Sequence, residues 1–300
     1  MSFDFHSELI NRYDELKYSL LKAQTFDEDH YGFPPIYYKI METDDVRVNA
    51  YKDAFSKYDF TDKVVCEAGI GTLALTKHFL PQVKKAYLIE NNPDLKDFIQ
   101  DELKKNGWED KVEVIFDDAM KVVLPEPVDY IVGELMSIYC ANEYQIQIFA
   151  NLRQYLKPEG KLLPEYITNV AQLVHADFGK EHKHYPINFT RHYPVQLTMQ
   201  SVVNVIDLYH ERPDRVTKEI ELTPLVSGAV NAVLMYSFVQ VAEGCNFTGT
   251  DSLMPPTVCK LDETVVVQKG RPIKLRASFS YGTNLDQASF RVIESKYRNQ

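Results

Sequence analysis

The sequence predicts a doubly wound α/β domain built on a parallel sheet, led by helices and followed by a mostly β, barrel-like domain. Three observations carry this. From Lys63 to about Leu156, short apolar runs alternate with helical segments of roughly 10–15 residues, the pattern of right-handed βαβ units. Beyond Pro164 the helical period disappears and strand-like runs are divided by Gly, Pro, Asn and Asp. Before residue 60, apolar residues recur at helical spacing. A chain of 300 residues with 45% hydrophobic content is long enough for two cores. The expected division is 1–60 (helical lid), 61–163 (α/β, ligand-binding) and 164–300 (β).

Phe5, Leu9, Ile10, Tyr13, Leu16, Leu20 and Leu21 place one apolar face on a helix over residues 5–24. FDEDHYGFPP ends it, because Gly32 and the Pro34–Pro35 pair cannot continue a helix. A second helical segment runs from about Tyr37 to Tyr58. The α/β alternation follows as KVVCEAG, LALTKHFL, KKAYLIE, PDLKDFIQDELKKNG, KVEVIFDDA, VDYIVGE and NEYQIQIFANLRQYL. LKPEGKLLPEYI, Leu156 to Ile167, reads as a turn-rich loop into the β half. There YITNVAQLVHA, AVLMYSFVQVA, ETVVVQ and IKLRASFSY read as strands, and ADFGKEHKHYPINFTRHYPVQ as loop.

The net charge of -10, from 33 basic and 43 acidic residues, repels phosphate backbones, so a nucleic-acid partner is not expected. No apolar run approaches the roughly 18 residues of a membrane span, and the charged N-terminus lacks a leader-like core. A soluble, unprocessed, cytoplasmic protein is expected. Cys66, Cys140, Cys245 and Cys259 show no CxxC spacing and read as reduced thiols. His182, His184 and His192 lie close in sequence without cysteine or a spaced acid, so they read as a solvated loop, not a metal site.

VVCEAGIGTLAL ends a buried strand on Glu67 and turns into a helix through Gly69 and Gly71. Glycines there let a ligand approach the backbone at the carboxyl end of a parallel strand. The next strand ends in Glu90, placed to accept hydrogen bonds from ribose hydroxyls. FDDAM puts Asp118 and Ala119 at a third strand end, where an acid can accept from an adenine amine. A nicotinamide enzyme shares the first two signals but usually carries a third glycine, absent from GIGTLAL. Acids at consecutive strand ends suit S-adenosylmethionine better.

GELMSIYCANE, following the apolar run VDYIV, holds Glu134 and Glu143 nine residues apart among Leu, Met, Ile, Tyr, Cys and Ala. Two anions at the mouth of a sheet cost several kcal/mol per ion unless a cation lies between them.

These motifs resemble the protein arginine methyltransferase family, over roughly residues 35–300. KIMETDDVRVNAYKDAF is similar to the segment that closes over the cofactor in that family, EAGIGT to its glycine motif, LIE to its ribose-binding acid, GELMSIYCANE to its double-glutamate loop and LKPEGKLLPEYI to its hinge. The resemblance implies a Rossmann-like class I methyltransferase domain, S-adenosylmethionine as cofactor, Arg47 on its methionine carboxylate, and Glu134 and Glu143 as catalytic residues. Met41 matches a family methionine facing the active site. Tyr38 and Met136 are further substrate-pocket candidates, though Tyr38 reads equally as core packing.

The missing cation is then a guanidinium, whose planar fork two carboxylates can grip on two edges. Three departures from the family stand out. Ser252, Leu253 and Met254 occupy the place of its Thr-His-Trp segment, its dimerisation arm is short here, with Pro186 and Pro194, and the spacing of His30, Tyr31, Tyr37 and Tyr38 differs. Because the outer peptide-docking surface is what has changed, free arginine or a small guanidine is slightly favoured as acceptor over protein arginine. A homodimer is compatible with either. The alternatives are a cofactor-binding module without turnover, and a methyltransferase acting on a phenol or amine, which would leave the glutamate pair without its cation.

Overall fold

The computed structural model describes residues 38, 41–178, 183–187, 194–212, 215–248 and 254–295. The helix expected over 5–24, with His182, His192, Ser252 and Leu253, lies outside them. Five strands form the first sheet: β1 Val64–Ala68, β2 Lys85–Glu90, β3 Val112–Phe116, β4 Val128–Gly133 and β5 Leu156–Leu163. All run parallel in the order β3-β2-β1-β4-β5. Every residue of β1 is buried, as a strand covered on both faces requires. Connecting helices are α1 Asp45–Ser56, α2 Thr76–Phe79, α3 Lys96–Lys105 and α4 Gln145–Leu152. The expected LALTKHFL helix shrinks to α2, because the chain leaves Gly71 through turns in which Leu73 adopts φ 64°.

One element corrects the sequence reading. LKPEGKLLPEYI is a strand for most of its length, not a loop. Leu162 and Leu163 are fully buried and align with Ile131 and Val132 of β4. The turn residues survive because β5 is an edge strand whose register slips beside Val128 and Tyr130, where bulges tolerate Gly and Pro. A Cβ on Gly160 would come within 2.8 Å of the Asp129 carbonyl oxygen. The crossing into the β half is thus only Pro164–Glu165.

That half holds β6 Tyr166–His175, β7 His184–Pro186, β8 Val195–Gln196, β9 Ser201–Asp207, β10 Arg215–Leu222, β11 Gly228–Ala242, β12 Cys245–Thr248, β13 Thr257–Val267, β14 Ile273–Ser280 and β15 Ser289–Ser295. One antiparallel sheet runs β7-β13-β11-β6-β8, with β9 also on β6 and β12 on β11, and a second runs β10-β14-β15. They meet where β9 lies beside β10 and β13 beside β15. The expected loop over 176–196 contributes β7 and β8 among its described residues. The main apolar core runs from α1 to β15, a smaller cluster gathers Val174, Phe178, Leu234 and Val258 in the β half, and Tyr51 of α1 packs on Phe247 of β12 with ring centroids 6.2 Å apart. The four cysteines are free and buried. Among the described residues no helix is long and apolar enough to cross a bilayer.

Candidate active site

Parallel strands deliver their carboxyl ends to one edge of the sheet. There the end of β1 brings Glu67 and the turn after it Gly69 and Gly71, the end of β2 brings Glu90, the turn after β3 brings Asp118 and Ala119, and the turn after β4 brings Glu134. The strand order reverses between β1 and β4, the switch point at which open α/β sheets form a ligand crevice. A cavity of about 170 Å³ lies there, lined by residues including Tyr38, Met41, Arg47, Glu67, Gly71, Glu90 and Glu134. Glu143, Met136, Asp118 and Ala119 do not line it. Asp118 caps its own turn by accepting from Met120 N at 2.9 Å and pairs with Lys121 at 2.9 Å, while Met136 is buried.

The two glycines have φ of 69° and 52°, a conformation costly for other residues. A Cβ on Gly69 would stand 2.3 Å from Leu135 Cδ2, and one on Gly71 would meet the Tyr38 ring at 3.3 Å. Glu90 accepts from Gly71 N and from Asn92 N, both at 2.8 Å, so the acid braces the turn it faces. Asn92 Nδ2 donates to the Tyr38 hydroxyl at 3.2 Å, and Thr72 donates to Glu42. The segment before α1 therefore rests directly on the glycine turn. Glu67 accepts from Thr76 Oγ1 at 2.6 Å. Burial pushes its carboxyl up to about 8, against the Thr76 hydrogen bond and with Glu90 adding to the rise, so at neutral pH it holds a proton.

Arg47 sits in the first turn of α1, where Asp44 caps the helix by accepting from Arg47 N at 3.3 Å. Its buried guanidinium donates through Nη1 to Glu134 Oε2 and through Nη2 to the Met41 carbonyl oxygen. Nε is buried without a partner. Burial lowers its pKa, while Asp44, Tyr51 and Glu143 hold it up. Glu143 is pushed up to about 7 by burial, against the pull of Arg47. The two glutamates and Arg47 thus share one electrostatic neighbourhood, and Arg47 already serves one of the acids expected to hold an acceptor.

The loop from Glu134 to Glu143 is pinned from several sides. Gln145 accepts from Leu135 N at 2.8 Å, and Tyr51 donates to the Gly133 carbonyl oxygen at 3.1 Å. Tyr139 and Cys140 take φ of 58° and 51°, a left-handed pair that costs on the order of 1–3 kcal/mol per residue unless the surroundings impose it. They do: Tyr139 N donates to Ser237 Oγ at 2.9 Å, its hydroxyl to the Val170 carbonyl oxygen at 2.8 Å, and Gly282 N to the Cys140 carbonyl oxygen at 2.9 Å. Sequence reasoning missed Asn92, Thr76, Tyr51, Gln145 and Ser237. Only Asn92 carried a signal, as an N-cap before Pro93–Asp94, where its side chain accepts from Asp94 N at 3.0 Å.

Residues 30–163 match the family model described as PRMT5 arginine-N-methyltransferase. The chain resembles the protein arginine N-methyltransferases. A protein of Methanocaldococcus jannaschii, uncharacterized protein MJ1452, is 26% identical over 256 residues, which is 84% of this chain and 95% of that one. Histone-arginine methyltransferase CARMER of Drosophila ananassae is 32% identical over 130 residues, 42% of this chain and 24% of CARMER, so the shared stretch spans about a quarter of that relative. Among solved structures, the Trypanosoma brucei PRMT1 enzyme-prozyme heterotetrameric complex with AdoHcy superposes with a TM-score of 0.67 at 18% identity, covering 83% of this chain and 87% of that one. Arabidopsis thaliana protein arginine methyltransferase 10 gives 0.68 at 15%, covering 86% and 97%. At these identities the two structures establish a shared fold: a Rossmann-like parallel sheet joined to an antiparallel β domain.

Proposed function

We propose that the chain is an S-adenosylmethionine-dependent N-methyltransferase acting on a guanidino nitrogen of arginine, with 1–60 as lid, 61–163 as cofactor domain and 164–300 as substrate domain. The observation that carries the reading is the pairing of Arg47 with Glu134 at the cavity beside the glycine turn, with Glu143 near enough to act on the Arg47 charge.

The residues present fit the cofactor. Arg47 lines the cavity as a buried cation whose Nε has no partner, the kind of donor that an amino-acid carboxylate takes. Glu90 has lone pairs beyond the two backbone bonds it accepts, which suits ribose hydroxyls, and Gly69 and Gly71 keep the turn clear of side chains.

When bound, S-adenosylmethionine supplies an electrophilic sulfonium methyl. The chain supplies orientation and charge. Glu134, engaged by Arg47 through Oε2, keeps Oε1 for an acceptor N–H, and Glu143 takes the other edge of the guanidinium. Holding one nitrogen in line can contribute ~7–11 kcal/mol at best. Carboxylates on the other two nitrogens draw the positive charge toward themselves and leave electron density on the attacking one. With the cofactor bound, its S–C bond to the methyl would break with the electron pair left on the thioether sulfur, and Glu143, its carboxyl pushed up to about 7 by burial, would receive the proton that the methylated nitrogen sheds.

For the acceptor, free arginine or a small guanidine is favoured by the altered segment at Ser252–Met254 and the short 176–196 stretch. Protein arginine is the second reading, favoured by the 32% identity to a histone-arginine methyltransferase. The test is incubation with labelled S-adenosylmethionine and either free L-arginine or an arginine-rich peptide, with products read by mass. Faster labelling of free arginine is expected. Faster labelling of the peptide selects the second reading, and labelling of neither defeats the guanidinium reading.

A further inference from the structure

The left-handed turn at Tyr139–Cys140 is held from the β half by a row of polar side chains in an otherwise apolar sheet. Ser237 on β11 pairs in register with Asn169 on β6, and Asn169 with Asn204 on β9. Ser237 and Asn169 are buried. Tyr139 N donates to Ser237 Oγ at 2.9 Å, Ser237 Oγ to Asn169 Oδ1 at 2.8 Å, and Asn169 Nδ2 to Asn204 Oδ1 at 3.1 Å. Asn204 Nδ2 then donates to the Tyr281 hydroxyl at 3.0 Å, and that hydroxyl to Glu211 Oε1 at 3.4 Å. Every donor points the same way, from the loop toward a half-buried carboxylate, so each bond polarises the next.

Three in-register polar residues across a sheet interior are not what packing alone selects. Apolar replacements would pack there without the burden of satisfying each buried group. What the row uniquely provides is an acceptor for the Tyr139 amide, at the residue where the chain must turn left-handed to bring Glu143 back toward Arg47 and Glu134.

We propose that Ser237, Asn169, Asn204 and Tyr281 act as one positioning relay that fixes the Glu134–Glu143 loop, with Glu211 as its anionic terminus. None of them touches the acceptor; they set where Glu143 stands. The inference rests on the acceptor-gripping role proposed for the two glutamates, but it has a readout of its own.

The experiment is hydrogen exchange on the full chain without ligand, read at the Tyr139 amide, with kinetics on whichever of free L-arginine or arginine peptide the parent methylates. Ser237→Ala removes the acceptor of that amide. Its exchange is expected to rise roughly tenfold, the measure of one lost buried hydrogen bond, while amides of β1 and β4 stay at parental rates. Turnover should fall with the cofactor KM unmoved, and Ser237→Thr, which keeps the hydroxyl, should restore both. Tyr281→Phe removes the hydroxyl that accepts from Asn204 Nδ2 and donates to Glu211, with Asn169 and Asn204 between it and Ser237, and should raise exchange at the same amide to a smaller degree; it decides the matter if Ser237→Ala fails to fold. An unchanged Tyr139 amide in either variant overturns the relay, as does a rise spread evenly over β6, β11 and β13. A parent that methylates no guanidine would defeat the functional reading and leave the exchange result to stand or fall alone.

Discussion

Glu90 and Glu143 are both acids at the carboxyl edge of one sheet, yet they are held in different ways. Glu90 accepts two backbone N–H groups from its own half of the molecule, Gly71 N and Asn92 N. Glu143 ends a loop whose left-handed turn is braced by β11, β6 and the Tyr281–Gly282 segment, and burial leaves its carboxyl near 7. The first arrangement is a local, finished cradle. In the second the acid is buried within the electrostatic reach of Arg47, and the loop that carries it is held by strands of the β half.

The largest effect expected from breaking this contrast is at Glu143. Glu143→Gln keeps the shape but turns amide donors toward a guanidinium's donors. Turnover should drop at least ~10²–10³-fold, as for a lost electrostatic element, while S-adenosylhomocysteine affinity by titration calorimetry stays at the parental value. This substitution is cleaner than Glu134→Gln, which also strips Arg47 of its buried partner, a loss of ~3–5 kcal/mol in comparable pairs. The same residue sets a pH limb. With its carboxyl raised to about 7 in the free protein, the gripping anion is depleted as pH falls, so kcat/KM for the acceptor should decline about tenfold per unit below that pH. A flat acceptor profile down to pH 5, or near-parental turnover in Glu143→Gln, would remove Glu143 from the acceptor side.

Glu90→Ala should give the next largest change, and on the other side of the contrast. Cofactor-product affinity should weaken by ~1.5–3 kcal/mol for hydrogen bonds to a charged group, with additional loosening because Gly71 N and Asn92 N lose their acceptor. Unaltered affinity would mean that the carboxylate only braces the turn.

The smallest effect on the reaction is expected at Glu67, whose readout is stability. Glu67 has its folded pKa raised to about 8 from 4.5, so its proton is bound more tightly in the folded state. That stabilisation is complete below the unfolded pKa and is lost as pH rises through the folded value. Glu67→Gln keeps the Thr76 hydrogen bond without the titration. Thermal unfolding should show it matching the parent at pH 5 and exceeding it at pH 9, with the gap opening as pH rises toward about 8. Equal differences at both pH values would place Glu67 in a wetter setting than its burial indicates.

What could be read from the chain alone follows locality. The alternation that builds β1 to β4, the glycines that turn after β1 and the acids at consecutive strand ends lie within short windows. Parallel pairing then carries all those strand ends to one edge without further information. The glutamate pair was visible because two anions in an apolar loop demand a cation. The identity of each partner was not. Arg47 meets Glu134 across 87 positions and Tyr139 meets Ser237 across 98, and no periodicity encodes which distant groups converge. The same holds for β5, whose Pro and Gly read as a loop until a neighbouring strand gives Leu162 and Leu163 an apolar wall to fill. Sequence pattern decides which face a residue shows; only the tertiary fold decides what waits on the other side, because the cost of burying a charge or a polar group depends on a neighbour that the chain brings in from far away.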